Sequence, residues 1–448
     1  MPTASNKPSL SPALYQLKAF RFALRCKPAE ERLLARWSGQ LRWVWNKALA
    51  EQRARHARGE KYASYQDMAK WLTAWRNAQA TVWLAEGPAQ PQQQVLMRLD
   101  EAYKRFFAAA KAGTAGGKGR TGPPDFKRYG DDPGIRFPDP RQFELDMNNQ
   151  RLKLPKLGWA RLRLSQPAAG EIRNVSLSKD GGRWFASIQT RRAACLPSAG
   201  LLPTLGIDLG VAAFAATSEG ALIEPLNALK VQQQRLRRYQ RSVSRKVKGS
   251  CNRKKAVKRL AALHHRIACQ RNDWLHKLTT GLTSEHAVIA IEDLKVKGMS
   301  SSARGTAAAP GKNILAKAGL NRSILDQGWA EFRRQLDYKL KANSGHLVTV
   351  HPAYTSQTCS ACGHCERDNR KTQSLFVCLA CGQTDNADIN AARNILAAGT
   401  LAAQTLAAGY AASACGEVVR HRAAAKQRGA ASVKQEPTEA TRQEATHA

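Results

Sequence analysis

Three acidic residues stand where apolar patterning would not place them. Asp208 interrupts the run LGIDLGV between Ile207 and Leu209, Glu292 ends Val288-Ile289-Ala290-Ile291, and Asp388 sits at the start of the helical pattern INAARNIL. The chain has only 34 acidic residues against 71 lysines and arginines. A carboxylate in or beside a buried strand needs a partner, because an unpaired buried charge is expensive. A divalent cation supplies one. Carboxylates on adjacent strands, joined by one from a nearby helix, make a two-metal site that activates water and stabilises the leaving oxygen of a phosphodiester. Singly, each acid has a plainer reading: Asp208 as a strand-end turn former, Glu292 paired with an arginine, Asp388 as a helix cap. Asp293 competes with Glu292, but the strand period of two sends it to the opposite face.

The cysteines supply a second chemistry. They fall as Cys359-x2-Cys362-x15-Cys378-x2-Cys381, two turns that each offer a pair of soft ligands to a tetrahedral zinc ion. Gly363 and Gly382 follow the pairs and suit a backbone that bends sharply with its N–H groups toward the sulfurs. His364 and Cys365 lie close by but have no counterpart in the second pair, so the expected ligands are the four cysteines. Such a closed site stabilises folding and performs no chemistry itself. A tight cysteine window in a large basic chain points to metal in a reducing compartment, not to a disulfide framework.

The charge supplies the third. The formal net charge is +37, and between Glu224 and Asp273 there is no acid at all. That interval holds Arg237, Arg238, Arg241, Arg245, Lys246, Lys248, Arg253, Lys254 and Lys255, with Leu236, Tyr239, Val243 and then Leu260, Leu263 and Ile267 at helical spacing. No i,i+4 ion pair can form there, so the compensating charge comes from outside, and nucleic-acid phosphate is the expected source. A membrane surface is disfavoured because the charge is spread along the chain. The polar segment Met1 to Ala13 lacks a signal-peptide core, and no apolar run is long enough for a bilayer. With 43% hydrophobic residues, wholesale disorder is excluded.

The elements that must position these groups can be read from periodicity. Tyr15 to Arg25 alternates basic and apolar residues as a strand with one cationic face. Helical spacing runs from Ala29 to His56 and recurs to about Lys111, followed by a glycine-rich basic loop, Gly113 to Pro124. Short alternating runs from Ile135 to Thr190, with a hairpin turn at Lys179-Asp180-Gly181-Gly182, predict a small β domain with the helices inserted before it. From Leu205, buried strands LGIDLGVAAFAATS, AVIAIED and HLVTVHP are separated by a long helical hairpin and a helix over about Ser323 to Asn343. A helix from Asp388 to about Leu396 follows the cysteines, and the polar end is expected to be disordered.

In this order the pieces closely resemble the TnpB family, transposon-encoded RNA-guided DNA endonucleases related to small type V CRISPR effectors. The resemblance rests on GIDLGV, IEDLKVKGM, TSQTCSACG, CLACGQ and NADINAARN, and extends through RLKLPKLGW, NRSILDQGW and KAFRFAL…RWVWNKALA. It implies a multidomain α+β chain with an RNase H-like, RuvC-type core. Asp208, Glu292 and Asp388 would bind Mg²⁺, Asp208 bridging two ions, beside structural Zn²⁺. It further implies a β-barrel-like wedge domain (1–28 and 131–200), a helical recognition domain (29–130) and the nuclease core (201–345) with its basic hairpin (227–280). A zinc ribbon (346–386), a final core helix (387–400) and a tail (401–448) complete the chain. The expected partners are a guide RNA from the transposon end and target DNA cut beside a short transposon-adjacent motif, in a prokaryotic cytoplasm near the nucleoid. Relatives that have lost acids act as nuclease-inactive regulators, and a catalytic transposase could use the same triad. The intact acids favour the endonuclease.

Overall fold

The sequence YQLKAFRFALR forms β1 (Tyr15–Arg25), burying Phe20, Phe22 and Leu24 while Arg21 and Arg25 stay exposed. Its place in the chain was legible, its place in the sheet was not. The structure, a computed structural model, describes residues 15–113, 122–131, 133–193, 203–306, 309–343 and 345–401. Most of the glycine-rich loop (114–121) and the tail beyond 401 lie outside these. The chain divides into two units, Met1–Leu196 with Ala228–Asp273, and Pro197–Asn227 with Trp274–Ala448.

In the first unit, β1 is followed by α1 (Pro28–Ala57), α2 (Tyr65–Asn77) and α3 (Ala89–Lys111), with a 3-10 turn at Gln79–Glu86. Pro at the first helical position and Glu30 on the Lys27 backbone N–H start α1, while Ser64 and Asp67 form a reciprocal capping box at α2. Their inner stripes, Trp37, Leu41, Val44, Met68, Leu72, Val95, Leu96 and Leu99, join the sheet residues in one core. The sheet strands are β2 (Ile135–Phe137), β3 (Glu144–Asp146), β4 (Arg151–Leu154), β5 (Gly158–Arg163), β6 (Glu171–Asp180) and β7 (Arg183–Ala193). With β1 they run antiparallel in the order β2-β6-β7-β1-β5-β4-β3. The N-terminal strand is therefore central, and the ladder has two ends, β2 and β3. The expected turn joins β6 to β7, with Asp180 paired to Arg183.

The basic hairpin consists of α4 (Ala228–Ser244) and α5 (Cys251–Glu285), whose first part belongs to this unit. Leu236, Leu263 and Ile267 pack between the helices. Arg253 donates to the Val243 and Lys246 carbonyls at 2.8 and 2.9 Å, so it closes the interhelical turn.

The second unit holds β8 (Thr204–Leu209), β9 (Ala215–Thr217), β10 (Leu222–Ile223), β11 (Val288–Glu292) and β12 (His346–Val350) in the order β10-β9-β8-β11-β12. β8, β11 and β12 are parallel, β9 runs antiparallel to β8, and β10 antiparallel to β9. The helical elements are α6 (Val296–Met299), α7 (Ile314–Gln327), α8 (Trp329–Ala342) and α9, residues 387–401. Leu205, Ile207, Leu209, Ile289 and Ile291 pack with Phe332, Leu336 and Leu340 of α8, while Ala290, Val348 and Val350 pack with Ile395 of α9. Both sheet faces are covered, which is why these strands read as continuous apolar runs. The single helix expected over about Ser323 to Asn343 is two helices, broken where Gly328 takes φ +76°. Gly206 lets α9 approach β8 closely, because a Cβ there would collide with the Ala392 carbonyl and the Leu396 backbone.

Candidate active site and cysteine cluster

Strand parity decides which acids meet. Leu205, Ile207 and Leu209 face α8, so Asp208 and Gly206 take the other face, toward α9. The register pairs Ile291 with Ile207, placing Glu292 one step further along β11, level with Asp208. The first turn of α9 then brings Asp388 to the same cleft, about 260 Å³ in volume and lined by Asp208, Glu292, Asp388, Thr355 and Arg370. Asp293 falls outside it and pairs with Arg333.

The plainer readings of Glu292 and Asp388 do not describe what these side chains touch. Asn386 caps α9: its Oδ1 accepts from the Asp388 and Ile389 backbone N–H groups at 2.9 and 3.3 Å. Asp388 is thereby left to accept from the Arg370 guanidinium at 2.9 Å. Asn386→Ala is accordingly expected to cost about 1 kcal/mol of stability, and Asp388→Ala less, in urea unfolding; the reverse order would make Asp388 the cap. Glu292 pairs with no arginine. It accepts from the Thr355 hydroxyl at 2.6 Å.

Burial pushes the Asp208 carboxyl up to about 7, reinforced by the charges of Glu292 and Asp388 and opposed by Arg370. Burial also raises Glu292, opposed by the Thr355 hydrogen bond. Three crowded carboxylates with one nearby guanidinium make an oxygen donor set suited to hard divalent cations. Their oxygens do not all lie within 4.8 Å of one another, in contrast to the sulfurs below; ligands shared between two ions about 3.5–4 Å apart need not.

The four expected cysteines come together. Their sulfurs all lie within 4.8 Å of one another, with Cys359–Cys381 at 3.7 Å and Cys362–Cys378 at 3.5 Å. A zinc ion with Zn–S bonds of about 2.3 Å requires sulfur–sulfur edges of about 3.8 Å, so the donors fit. Gly363 and Gly382, at φ +77° and +72°, close the two turns by donating to the Cys359 and Cys378 carbonyls. The Cys378 thiol is pulled down to about 6, chiefly by the backbone N–H of Cys381 and also by that of Ala380. His364 turns to Glu366 at 3.1 Å, and neither it nor Cys365 joins the cluster. A two-stranded ribbon, β13 (Leu375–Val377) and β14 (Thr384–Asn386), flanks the second pair on either side.

Sequence reasoning missed Arg370, Thr355 and Asn386. Thr355 lies inside the motif TSQTCSACG, whereas Arg370 stands in a stretch of mixed charge with no distinguishing spacing. Of the basic residues singled out, Arg237, Arg238 and Arg241 lie exposed on α4, Arg245, Lys246 and Lys248 in the turn, and Lys254 and Lys255 exposed on α5. Arg253 is spent inside the hairpin.

The family described as "Probable transposase" matches residues 199–303, and "Cas12f1-like, TNB domain" matches 329–395. "Helix-turn-helix domain" matches 16–61, where the structure has β1 and the long α1. InsQ of Escherichia coli (strain K12) is 45% identical over 424 residues, covering 95% of this chain and 98% of the relative. A protein of Streptomyces pristinaespiralis is 33% identical over 436 residues, covering 95% and 97%. Both carry the name of an RNA-guided DNA endonuclease. The mini-RNA-guided endonuclease Cas_phi3 aligns over 86% of this chain and 92% of its own, with a TM-score of 0.44 and 10% identity. The chain belongs to the TnpB family.

Proposed function

We propose that the chain is an RNA-guided, Mg²⁺-dependent DNA endonuclease of an insertion-sequence transposon, cutting DNA beside a short adjacent motif by phosphodiester hydrolysis. The observation that carries this reading is the convergence of Asp208, Glu292 and Asp388 from two parallel strands and a helix on one cleft. The names of the relatives support the RNA guide and the DNA substrate. In this reading residues 201–345 and 387–400 are the RuvC-type, RNase H-like core, and 346–386 are its zinc ribbon on Cys359, Cys362, Cys378 and Cys381. Residues 1–28 and 131–200 form the wedge and 29–130 the recognition helices. The basic hairpin meets nucleic acid, and the protein works in the prokaryotic cytoplasm. No helix among the described residues is long and apolar enough to cross a membrane.

Divalent cations held by the three carboxylates would supply activated water and neutralise charge on the leaving oxygen. The remaining work belongs to the side chains. Thr355 fixes one Glu292 oxygen, leaving the other for a cation. Asp208, pushed up to about 7 by burial and its two acidic neighbours, would release its remaining proton to solvent if cations were held there. Arg370 balances the cluster through Asp388, and from its place in the cleft lining its guanidinium could also bind a phosphate. Arg370→Ala should lower the cleavage rate about a hundredfold while RNA retention stays unchanged. Wild-type cleavage by that variant would remove Arg370 from the site.

The test of the whole reading is co-expression with the flanking DNA, sequencing of the bound RNA, and cleavage of a randomised-motif plasmid library with Mg²⁺. Discrete RNA and motif-dependent cutting, lost in Asp208→Ala, support it. RNA-directed binding without cutting would make the chain a regulator, and joining to a 3′-hydroxyl would make it a transposase.

A further inference from the structure

A cleft of about 550 Å³ in the first unit is lined by Arg183 of β7, Arg235 and Tyr239 of α4, and Arg259, His265 and Arg266 of α5. Its volume is within the roughly 300–1,000 Å³ of sites that enclose a small ligand. Four guanidiniums from three elements surround one cavity, and none pairs with a carboxylate among the described residues. The neighbouring acid, Asp180, is already engaged by Arg21 at 2.9 Å and by His265 at 3.5 Å. Arg235 donates to the Tyr239 hydroxyl at 3.3 Å. That hydrogen bond, with the charges of Arg235, Arg238 and Arg259, holds the Tyr239 phenol below its ordinary value. Phe185 packs its ring 5.8 Å from that of His265, fixing one wall. Like charges gathered this way repel until an anion enters.

We propose that this cleft captures one extruded nucleotide of the bound RNA, its phosphate on the arginines and its base against the Tyr239 and His265 side of the wall. The proposal rests on the RNA-bound reading above and adds a site to it. Arg235, Arg259 and Arg266 lie in the acid-free interval that sequence reasoning assigned to nucleic acid, whereas Arg183 of β7 and the cavity itself do not follow from it. A cavity of this size admits a single nucleotide. Folded RNA offers unstacked nucleotides in loops and bulges, and such bases are held on aromatic rings and guanidinium planes.

Two full-length variants test it, with the RNA that co-purifies with the wild-type chain, transcribed afresh, as the probe. Arg259→Ala with Arg266→Ala should weaken RNA binding about tenfold or more and lower the salt slope by about one to two, as lost phosphate contacts do. Ala262→Trp fills the cleft from an exposed helix position without changing charge, and should cause a comparable loss. Normal RNA affinity and slope in the double arginine variant would overturn the pocket. So would loss confined to a 30-base-pair DNA duplex, or a loss in the arginine variant that a folded Ala262→Trp protein does not share, since diffuse charge would then suffice. A wild-type chain that retains no RNA would sink the proposed function itself, and the pocket with it.

Discussion

Asp208→Asn is expected to abolish DNA cleavage, by roughly a thousandfold or more, while RNA retention and overall fold stay as in the wild type. The asparagine keeps the shape of the side chain and removes the charge that a divalent cation needs at the centre of the cleft. A second readout follows from the cluster's protonation. Without cations, Asp208 is pushed up to about 7, so below that pH a cation must displace a proton to enter. Affinity for Mg²⁺ or Mn²⁺, measured by calorimetry on the RNA-bound protein, should rise about tenfold from pH 6 to pH 8 and flatten above. The same group bears on stability with the opposite slope. Its folded-state value is raised from 3.8, so the cation-free protein holds this proton more tightly than the unfolded chain. That contribution is complete below about 4 and is lost as pH rises to about 7. Asp208→Asn should remove this slope, and a variant that kept both the slope and the cation affinity would exclude Asp208 from the site.

The carboxylates could be found in the sequence because each breaks a local rule. Asp208 and Glu292 interrupt strands that are apolar on both faces, and the choice of Glu292 over Asp293 needs only the strand period. The cysteines could be found because two short spacings repeat. Other features depend on contacts far apart in the chain. The pairing of β1 with β7 and β5 joins residues over 130 positions apart and leaves no local trace. Arg253 stands in a basic run with Lys254 and Lys255, and only the turn geometry shows that it is spent on carbonyls. The first part of α7, from Ile314, leaves little apolar stripe in the sequence, because Leu315, Leu320 and Leu325 are exposed. The break after it depends on a left-handed Gly328, a residue that sequence alone permits inside a helix at a modest cost. Arg370 becomes visible only when the ribbon folds back on α9.

Removing zinc should abolish cleavage as completely as losing an acid, through a different failure. The ribbon around the second cysteine pair has two strands of three residues, and the buried cluster there is Cys359, Phe376, Cys378 and Ala387. So little apolar burial cannot offset the entropy of ordering the segment, and structural zinc contributes on the order of 10 kcal/mol in small domains of this kind. The segment also supplies two groups that hold the acids: Thr355, just before the first pair, on Glu292, and Arg370, between the pairs, on Asp388. Asn390 and Asn394 of α9 tie the same loop by donating to the Thr358 carbonyl at 2.8 and 2.6 Å. Cys378→Ser should therefore lose its zinc, expose residues 354–386 to limited proteolysis, and lose cleavage roughly a thousandfold, while residues 15–113 and 133–193 stay protected and RNA is retained. Asp208→Asn should lose cleavage with its zinc content and proteolysis unchanged. Elemental analysis giving one zinc per wild-type chain and none in Cys378→Ser, with that separation of proteolytic patterns, is the expected result. A zinc-free chain that cleaves normally and keeps its ribbon protected would show that the cysteines hold no structural metal and that the acids keep their geometry without it.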